Sequence, residues 1–586
     1  MHTSPHLRVP VGPDARRWST FHAERTLVVA ARTVTSTVRV LECLPTLVRD
    51  DSRISVVFAH DATSAFSDGV LDLLRDTGCR VMPWSQLSEA APDLILSASE
   101  NIDVPAGDCP VLVLPHGVGF QKMVPDSRTP GVRLSGVVPD ALLETGRAWL
   151  ALSHPDQERQ LLAAHPGTAG RTLLVGDPCF DELVGSRAQR ASYRAALGVD
   201  GPDGTEDARR LVMVSSTWGA TSLIGREPDL PARLLAALPY DEYRVALILH
   251  PNVWAAHGPW QIRALLASAL EAGLILVPPV HSWRPALVAA DLLIGDHGSV
   301  TLYGAALGTP VLLGTFGSDA VAGTAAGVLS RAVRLLDSRA DLYRQVVDAV
   351  DSHDPRPGAA LAEQAFADPG NAHAKLREAL YQLLRLSEPP WAPPGPPILS
   401  PPDPASAASR PALRVLTTVT AEAMTGGRTG GRTGGQTVTV RRVPASVAGP
   451  VTEDDDTYGH LAVGEAEKDR YLAESASVVL AERPAPTTVG ALRWISDTLG
   501  RFPGCLLAAT ATATAGGDSR TVLVGVRDGR VVAATVTGPA PDPGQVAAVV
   551  YALLRAARAF PDEPVTLRLG ERTEDVFLRV RPTKSP

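Results

Sequence analysis

Short runs of consecutive apolar residues alternate with helix-length segments over the first two thirds of the chain. The first runs predict strands at 26–31, 54–59, 80–82, 93–97 and 111–115. A second series is predicted at 171–175, 211–214, 244–249, 274–277, 291–294 and 311–313. Continuous rather than alternating apolar runs are typical of parallel strands that helices cover on both faces. The pattern therefore predicts an α/β fold with two tandem Rossmann-like domains.

The points where this alternation starts and stops divide the chain. A stretch too rich in proline to pack into a core follows the α/β part. Further strands and one helix are then predicted at 521–526, 530–536, 565–569 and 543–559. The predicted units are a polar tail at 1–25, an N-terminal Rossmann-like domain at 26–205, a C-terminal one at 206–386, a linker at 387–412 and a small α+β domain of unassigned role at 413–586.

The segment from Asp291 to Thr301 combines a strand, a tight loop and the start of a helix. Its sequence is Asp291-Leu-Leu-Ile-Gly-Asp296-His297-Gly298-Ser299-Val300-Thr301. The pattern predicts that the chain breaks after the strand and that Ser299 supplies the N-cap hydroxyl of the next helix. Free backbone N–H groups and the helix dipole suit such a loop to phosphate or another anion. Most turns of this kind in α/β proteins bind nothing, which is the alternative.

Three histidines stand in the same place relative to predicted strands. His116 follows the run at 111–115, His250 follows the run at 244–249, and His297 follows the run at 291–294. Imidazole can act as a base, an acid or a phosphate donor near neutral pH. Because ligands of open α/β sheets bind at the carboxyl ends of the strands, we expect these side chains, with nearby Lys122, to face one cleft. The alternative is that they are buried structural histidines.

Composition and charge exclude several classes of function. The net charge of −8 and the pI of about 6.0 argue against a nucleic-acid partner held by general electrostatics. Five scattered cysteines without paired spacing predict neither disulfides nor a metal site, and indicate a reducing cytoplasm. The sequence predicts no cofactor. No apolar stretch reaches the roughly 18 residues that span a bilayer, so any membrane contact would be peripheral, at the inner face.

Five short elements follow one another in a recognisable order. They are His116-Gly117 with Lys122, Gly176-Asp-Pro178-Cys179-Phe-Asp181, Ser216-Thr217-Trp218-Gly219, His250-Pro251, and the segment from Asp291 to Ser299. In this order they resemble the CDP-glycerol glycerophosphotransferase family of wall teichoic acid polymerases. That resemblance implies the GT-B fold, with the acceptor on the N-terminal domain and the nucleotide donor on the C-terminal domain.

The resemblance also implies roles for individual residues. In the family an acceptor hydroxyl attacks the β-phosphate of the donor and releases CMP. His116 would then be the base, and His250 with Lys122 would neutralise the phosphates. Catalytic residues would thus be His116 and His250, and substrate-binding residues would be Gly117, Lys122, Asp296, His297, Gly298, Ser299, Val300 and Thr301.

Departures from the family pattern leave alternatives open. The family's arginines fall at Cys179 and Gly219, and its Tyr-Ser becomes His297-Gly298. Losing two guanidiniums removes planar phosphate donors, part of which His297 is expected to replace. The leading hypothesis is a transferase that moves a glycerophosphate or sugar unit from a CDP- or UDP-linked donor to a polymer or lipid-linked acceptor of the cell surface. The alternatives are a nucleotide-sugar epimerase or hydrolase, and a degenerate nucleotide-binding protein.

Overall fold

The computed structural model describes residues 20–125, 131–199, 209–392, 395–402, 411–421, 436–449, 457–512, 521–536 and 542–581. Residues 1–19 of the predicted polar tail lie outside these ranges. The described chain forms two parallel sheets flanked by helices, followed by a closed barrel. The predicted pair of Rossmann-like α/β domains is confirmed by the two parallel sheets. The predicted domain boundaries remain predictions.

The first sheet has the strand order β3-β2-β1-β4-β5-β8-β9, and all its pairs are parallel. The elements of this part are β1 (Arg25–Ala31), α1 (Val34–Leu47), β2 (Ile54–His60), α2 (Val70–Asp76), β3 (Val81–Pro83), α3 (Leu87–Ala90), β4 (Leu94–Ser97), β5 (Val111–Val113), β6 (Met123–Pro125), β7 (Val132–Leu134), α4 (Asp140–Glu144), β8 (Ala148–Leu152), α5 (Pro155–Ala164) and β9 (Thr172–Leu174). Strands β6 and β7 form a separate antiparallel hairpin.

One strand was assigned to the wrong series. The run at 171–175 was expected to open the second series, but β9 pairs with β8 at the edge of the first sheet. An apolar run predicts a buried strand, yet it carries no information on which strand will be its hydrogen-bonding neighbour. Strand β8, which lies between β5 and β9, was not predicted.

The second sheet has the order β12-β11-β10-β13-β14 and is also entirely parallel. Its elements are α6 (Pro178–Gly185), α7 (Arg190–Ala196), β10 (Arg210–Ser216), α8 (Leu223–Arg226), α9 (Leu230–Ala237), β11 (Tyr243–Leu249), α10 (Pro251–Leu265), α11 (Ala267–Glu271), β12 (Ile275–Val277), α12 (Trp283–Ala289), β13 (Leu292–Gly295), α13 (Ser299–Ala306), β14 (Val311–Leu313), α14 (Ala325–Ala332), α15 (Leu342–Asp351), α16 (Arg356–Ala365) and α17 (Ala372–Leu384).

The chain crosses between the two sheets more than once. Phe180 of α6 and Tyr193 of α7 share a buried cluster with Met213 of the second sheet. Helix α17 returns to the first sheet, where Leu380 packs in one cluster with residues of α1. In the proline-rich segment, the Leu399 carbonyl accepts a 2.6 Å hydrogen bond from the Tyr193 hydroxyl, and its side chain is buried. These crossings fix the two sheets relative to each other.

The C-terminal part is a closed nine-stranded barrel, which corrects the prediction of a small α+β domain. Its order is β15-β16-β22-β23-β21-β20-β19-β18-β17, and β17 pairs with β15 to close it. The elements are β15 (Leu413–Ala421), β16 (Gln436–Pro444), β17 (Thr457–Gly464), α18 (Arg470–Ser475), β18 (Val478–Leu480), α19 (Thr488–Arg501), β19 (Leu507–Thr512), β20 (Thr521–Val526), β21 (Val531–Val536), α20 (Pro543–Arg555), β22 (Val565–Leu569) and β23 (Arg572–Arg581).

Helix α20 explains why the strands close around it. Every residue from Pro543 to Leu553 is buried, on all faces of the helix. A helix that is apolar all round must be enclosed, so a sheet that covered only one of its faces would leave it exposed. Its residues share one core cluster with strands from around the barrel.

The barrel docks on the second sheet at the end opposite the candidate site. Arg442 of β16 forms ion pairs with Asp241 and Asp542, and its carbonyl accepts a 2.8 Å hydrogen bond from the Tyr240 N–H. Tyr240 and Asp241 precede β11, whereas His250 follows it. The barrel therefore sits at the amino end of β11. No helix within the described ranges is both long and apolar enough to cross a bilayer.

Candidate functional site

The two domains touch where His116-Gly117 meets the start of α13. The Val118 N–H donates a 3.2 Å hydrogen bond to the Ser299 hydroxyl oxygen. A Cβ on Gly117 would lie 2.6 Å from that same oxygen, so only glycine permits this approach. The loop after β5 and the helix after β13 thus form the floor of one cleft.

His116 is oriented by the neighbouring strand end. Its Nδ1 lies 3.2 Å from the Ala98 carbonyl oxygen, which can only accept a hydrogen bond. Nδ1 therefore carries the hydrogen, and in the neutral ring Nε2 keeps its lone pair. This is the tautomer that a base using Nε2 requires.

Lys122 reaches across the cleft from the first domain. Its ammonium donates a 3.4 Å hydrogen bond to the Thr217 hydroxyl of the second domain. The strand around it pairs with the second domain: the Met123 N–H donates to the Asp319 carbonyl at 2.7 Å. Burial lowers the pKa of Lys122, against the opposing pull of Asp319 and Asp296. The lysine is placed to meet an anion at the domain boundary.

His250 begins α10 as its N-cap residue and is half-buried. Its Nδ1 accepts a 3.1 Å hydrogen bond from the Asn252 N–H, so the neutral ring carries its hydrogen on Nε2. Burial lowers the pKa of His250 to about 3, and the charges of His116 and Lys122 act in the same direction. His250 is therefore a neutral hydrogen-bond donor at neutral pH, close to the other two groups.

The Asp296 carboxylate stabilises the loop after β13 instead of facing the cleft. Its Oδ2 accepts hydrogen bonds of 2.9 Å from the N–H groups of Thr217 and Leu223, and its Oδ1 accepts one of 3.0 Å from Gly298. The side chain is fully buried. Both carboxylate oxygens are thus used to hold the ends of β10 and β13 together.

Both ring nitrogens of His297 are also engaged. Nδ1 accepts from the Gly317 N–H at 3.1 Å, and Nε2 lies 3.2 Å from Asp319 Oδ2. Burial lowers the pKa of His297, and the charge of Lys122 adds to this effect. His297 thus holds the loop after β14, and in this arrangement offers no nitrogen to replace a missing arginine.

The start of α13 differs from the prediction in one detail. Gly298 is the N-cap and Ser299 the first helical residue, because the chain turns one residue earlier than the hydroxyl pattern indicated. Val300 follows in the first turn and is half-buried. Thr301 is fully buried, and its side chain packs where a Cβ on Gly295 would overlap it. Ser299 and the helix N-terminus remain next to His116, whereas Thr301 lies in the interior.

The Gly176 to Asp181 element holds the domains together. Asp177 accepts from Arg39 at 3.0 Å and from the Tyr303 hydroxyl at 2.8 Å. Asp181 accepts from the N–H groups of Gly370 and Ala372, at the start of α17. Both carboxylates therefore stabilise the interdomain crossing.

Sequence reasoning missed two charged residues of the cleft. Glu100, which follows β4, is buried and pairs with Arg133 at 2.8 Å. Asp319 lies on the loop after β14. Glu100 shares the strand-end position that singled out the histidines, so that signal was available. Asp319 stands six positions beyond the end of β14, too far along the loop for the same signal. Within the described ranges, no group of three His, Cys, Asp or Glu side chains is arranged to hold a metal ion.

Comparison with known proteins gives structural neighbours only. No protein-family model and no curated protein matches the chain. A structure of the wall teichoic acid polymerase TagF is 12% identical, with a TM-score of 0.41, over 62% of this chain and 89% of that one. A putative UDP-N-acetylglucosamine 2-epimerase from Listeria monocytogenes is 13% identical, with a TM-score of 0.40, over 63% and 98%. An S. aureus MnaA–UDP structure is 13% identical, with a TM-score of 0.36, over 62% and 99%. Function is therefore inferred from the cleft itself.

Proposed function

We propose that this protein is a transferase that moves a glycerophosphate or sugar unit from a nucleotide-activated donor to the hydroxyl of a cell-surface polymer or glycolipid. The observation that carries the proposal is the convergence of His116, Lys122 and His250 at the carboxyl ends of two parallel sheets. His250 is a neutral imidazole, the His116 ring is oriented through its Nδ1, and Lys122 is a half-buried cation. This combination suits proton removal beside an anionic leaving group.

His116 acts as the base. Its Nε2 takes the proton of the acceptor hydroxyl while the oxygen attacks the electrophilic phosphorus or carbon of the donor. The new bond to that oxygen forms as the bond to the nucleotide's phosphate oxygen breaks. The nucleotide leaves with the negative charge.

Lys122 and His250 stabilise that leaving charge. Lys122 contributes a positive charge, and the neutral His250 donates through Nε2–H. Ser299 and the first N–H groups of α13 lie at the same edge and bind donor phosphate oxygens. Gly219, which has positive φ and open space around its Cβ position, leaves room beside Trp218 for the donor.

The donor class is tested first by thermal-shift screening with CDP-, UDP- and GDP-linked compounds, because a ligand that binds only the folded state raises its apparent stability. Nucleotide release is then measured with and without a polyol or glycolipid acceptor. Release that requires the acceptor supports a transferase. Acceptor-independent turnover would favour the epimerase or hydrolase, and binding without turnover would favour a degenerate nucleotide-binding protein.

Two substitutions of His250 separate its chemical role from its capping role. We expect His250→Ala to reduce transfer by about a hundredfold, since one donor to a developing charge is typically worth that much. His250→Asn keeps an N-cap acceptor but not the Nε2 donor, so it should restore stability without restoring transfer. His257→Ala, on the exposed face of the same helix, is the matched control. Full transfer by His250→Asn would overturn this role.

A further inference from the structure

Glu100 is a buried carboxylate on the same side of the cleft as His116. Strands β4 and β5 are neighbours, with Ser97 opposite Val113, so the residues that follow them emerge side by side. The Ala98 carbonyl that holds His116 Nδ1 lies two residues before Glu100. The Glu100 residue is only 6% exposed. The strand ends thus bring a carboxylate and the proposed base together.

The charge of Glu100 is maintained by its neighbours. Its Oε1 pairs with Arg133 Nη2 at 2.8 Å, on the hairpin strand β7. Burial alone would raise the pKa of Glu100, but the charges of His116 and Arg133, together with a backbone hydrogen bond and the hydrogen bond from Arg133, lower that pKa. The carboxylate is therefore ionised at neutral pH and interacts electrostatically with the His116 ring.

Neither Lys122 nor His250 favours protonation of His116. Lys122 brings a cation into the cleft, and His250 offers only a neutral ring. The carboxylates of Asp296 and Asp319 act on Lys122. A proton accepted by His116 places a second positive charge near the lysine. Glu100 is a carboxylate whose charge interacts with that of His116, and Arg133 cancels part of the Glu100 charge.

We propose that Glu100 is a positioning residue that stabilises the protonated form of His116. This inference rests on the proposed function, in which His116 takes the proton of the acceptor hydroxyl. The O–H bond breaks, the proton moves to Nε2, and Glu100 stays ionised throughout. Buried carboxylates support catalytic histidines in this way without taking the proton themselves.

A purely structural role for Glu100 makes a different prediction. If Glu100 only anchored the β6–β7 hairpin through Arg133, removing either partner would have the same effect. If its charge acts on His116, the two substitutions have opposite effects on protonation of His116. Glu100→Gln removes the negative charge, whereas Arg133→Gln removes the cation that partly neutralises it.

The test is an NMR titration of the protein labelled at histidine Cε1, with His116→Gln used to assign the His116 signal. We expect Glu100→Gln to lower the titration midpoint of that signal by about one pH unit, Arg133→Gln to raise it, and Glu100→Asp to restore most of the wild-type value. Equal midpoints in wild type and Glu100→Gln would overturn the inference. So would shifts of the same sign in Glu100→Gln and Arg133→Gln.

Kinetics separate this inference from the proposed function. In a working transfer assay, Glu100→Gln should move the acidic limb of the kcat/KM profile to lower pH and reduce kcat about tenfold with little change in KM. An NMR shift in a protein that transfers nothing from any donor would sustain the Glu100–His116 coupling and refute the transferase. Transfer that needs His116 but shows no NMR shift would refute the coupling alone.

Discussion

Replacing His460 with phenylalanine should make the barrel less sensitive to acid. His460 lies on β17, is 8% exposed, and packs against Tyr551 of α20, with ring centroids 4.2 Å apart and ring planes tilted by 39°. Neither ring nitrogen has a hydrogen-bond partner among the described residues. Burial lowers the pKa of His460 to about 3, and the charge of Arg442 adds to this effect. The folded state therefore requires a neutral ring.

The sign and the size of the effect follow from linkage. Between pH 6.5, the ordinary value for histidine, and about 3, the unfolded chain binds a proton at this site that the folded chain does not. Stability from this residue is complete above pH 6.5 and falls by about 1.4 kcal/mol for each unit of pH below it. At pH 5 the loss should be about 2 kcal/mol.

Urea unfolding of wild type and His460→Phe at pH 7.5 and pH 5 measures this difference. Overpacking costs the variant about 1–3 kcal/mol at both pH values, so the decisive quantity is the change between them. We expect wild type to lose about 2 kcal/mol more than the variant on acidification. His257→Phe, at an exposed position, should show the wild-type change. Identical acid losses in wild type and His460→Phe would refute a buried neutral histidine.

Two further substitutions test how the cleft and the barrel are held. Gly317→Ala should weaken transfer and lower stability by about 1–3 kcal/mol, because the added methyl overlaps Asp319 and the His297 ring. Gly500→Ala, in open space on α19, should leave transfer unchanged and should not lower stability. Equal melting temperatures and rates in the two variants would contradict this packing. Arg442→Met removes the cation that Asp241 and Asp542 share at the barrel interface, so limited proteolysis should release the barrel faster than from the wild type. Unchanged cleavage would show that these ion pairs do not secure the docking.

The sequence predicted the parallel sheets because each buried strand carries its own signal. The run at 211–214, which lies within β10, is apolar at every position. Such a run requires only that the strand be covered on both faces. The position of β9 and the closure of the barrel depend on which strands become neighbours, which no single run specifies. The helix at 543–559 was predicted, but its sequence did not indicate that nine strands would surround it and bury all its faces.

For the site, the sequence identified the strand ends but not the use of each side chain. A histidine after a parallel strand is placed near the cleft by topology alone. Its function then depends on which groups already form hydrogen bonds with its two ring nitrogens. His116 and His250 each have one nitrogen fixed by the backbone, which leaves the other available, whereas both nitrogens of His297 are engaged by the loop after β14. These hydrogen-bond partners cannot be deduced from the spacing of residues in the sequence.

Cys179 and Gly219, where the sequence resemblance leads one to expect arginine, lie in different environments. Cys179 is 2% exposed and lies in the interdomain cluster with Phe180, so an arginine there would need space and a partner that the packing does not provide. A guanidinium is nevertheless present at this junction, because Arg39 reaches across from α1 to Asp177. Gly219 is exposed, and no described atom lies within 4 Å of the position that its Cβ would take. Under the proposed function, Gly219, beside Trp218 and the cleft, is therefore the position of the two that bears on donor choice.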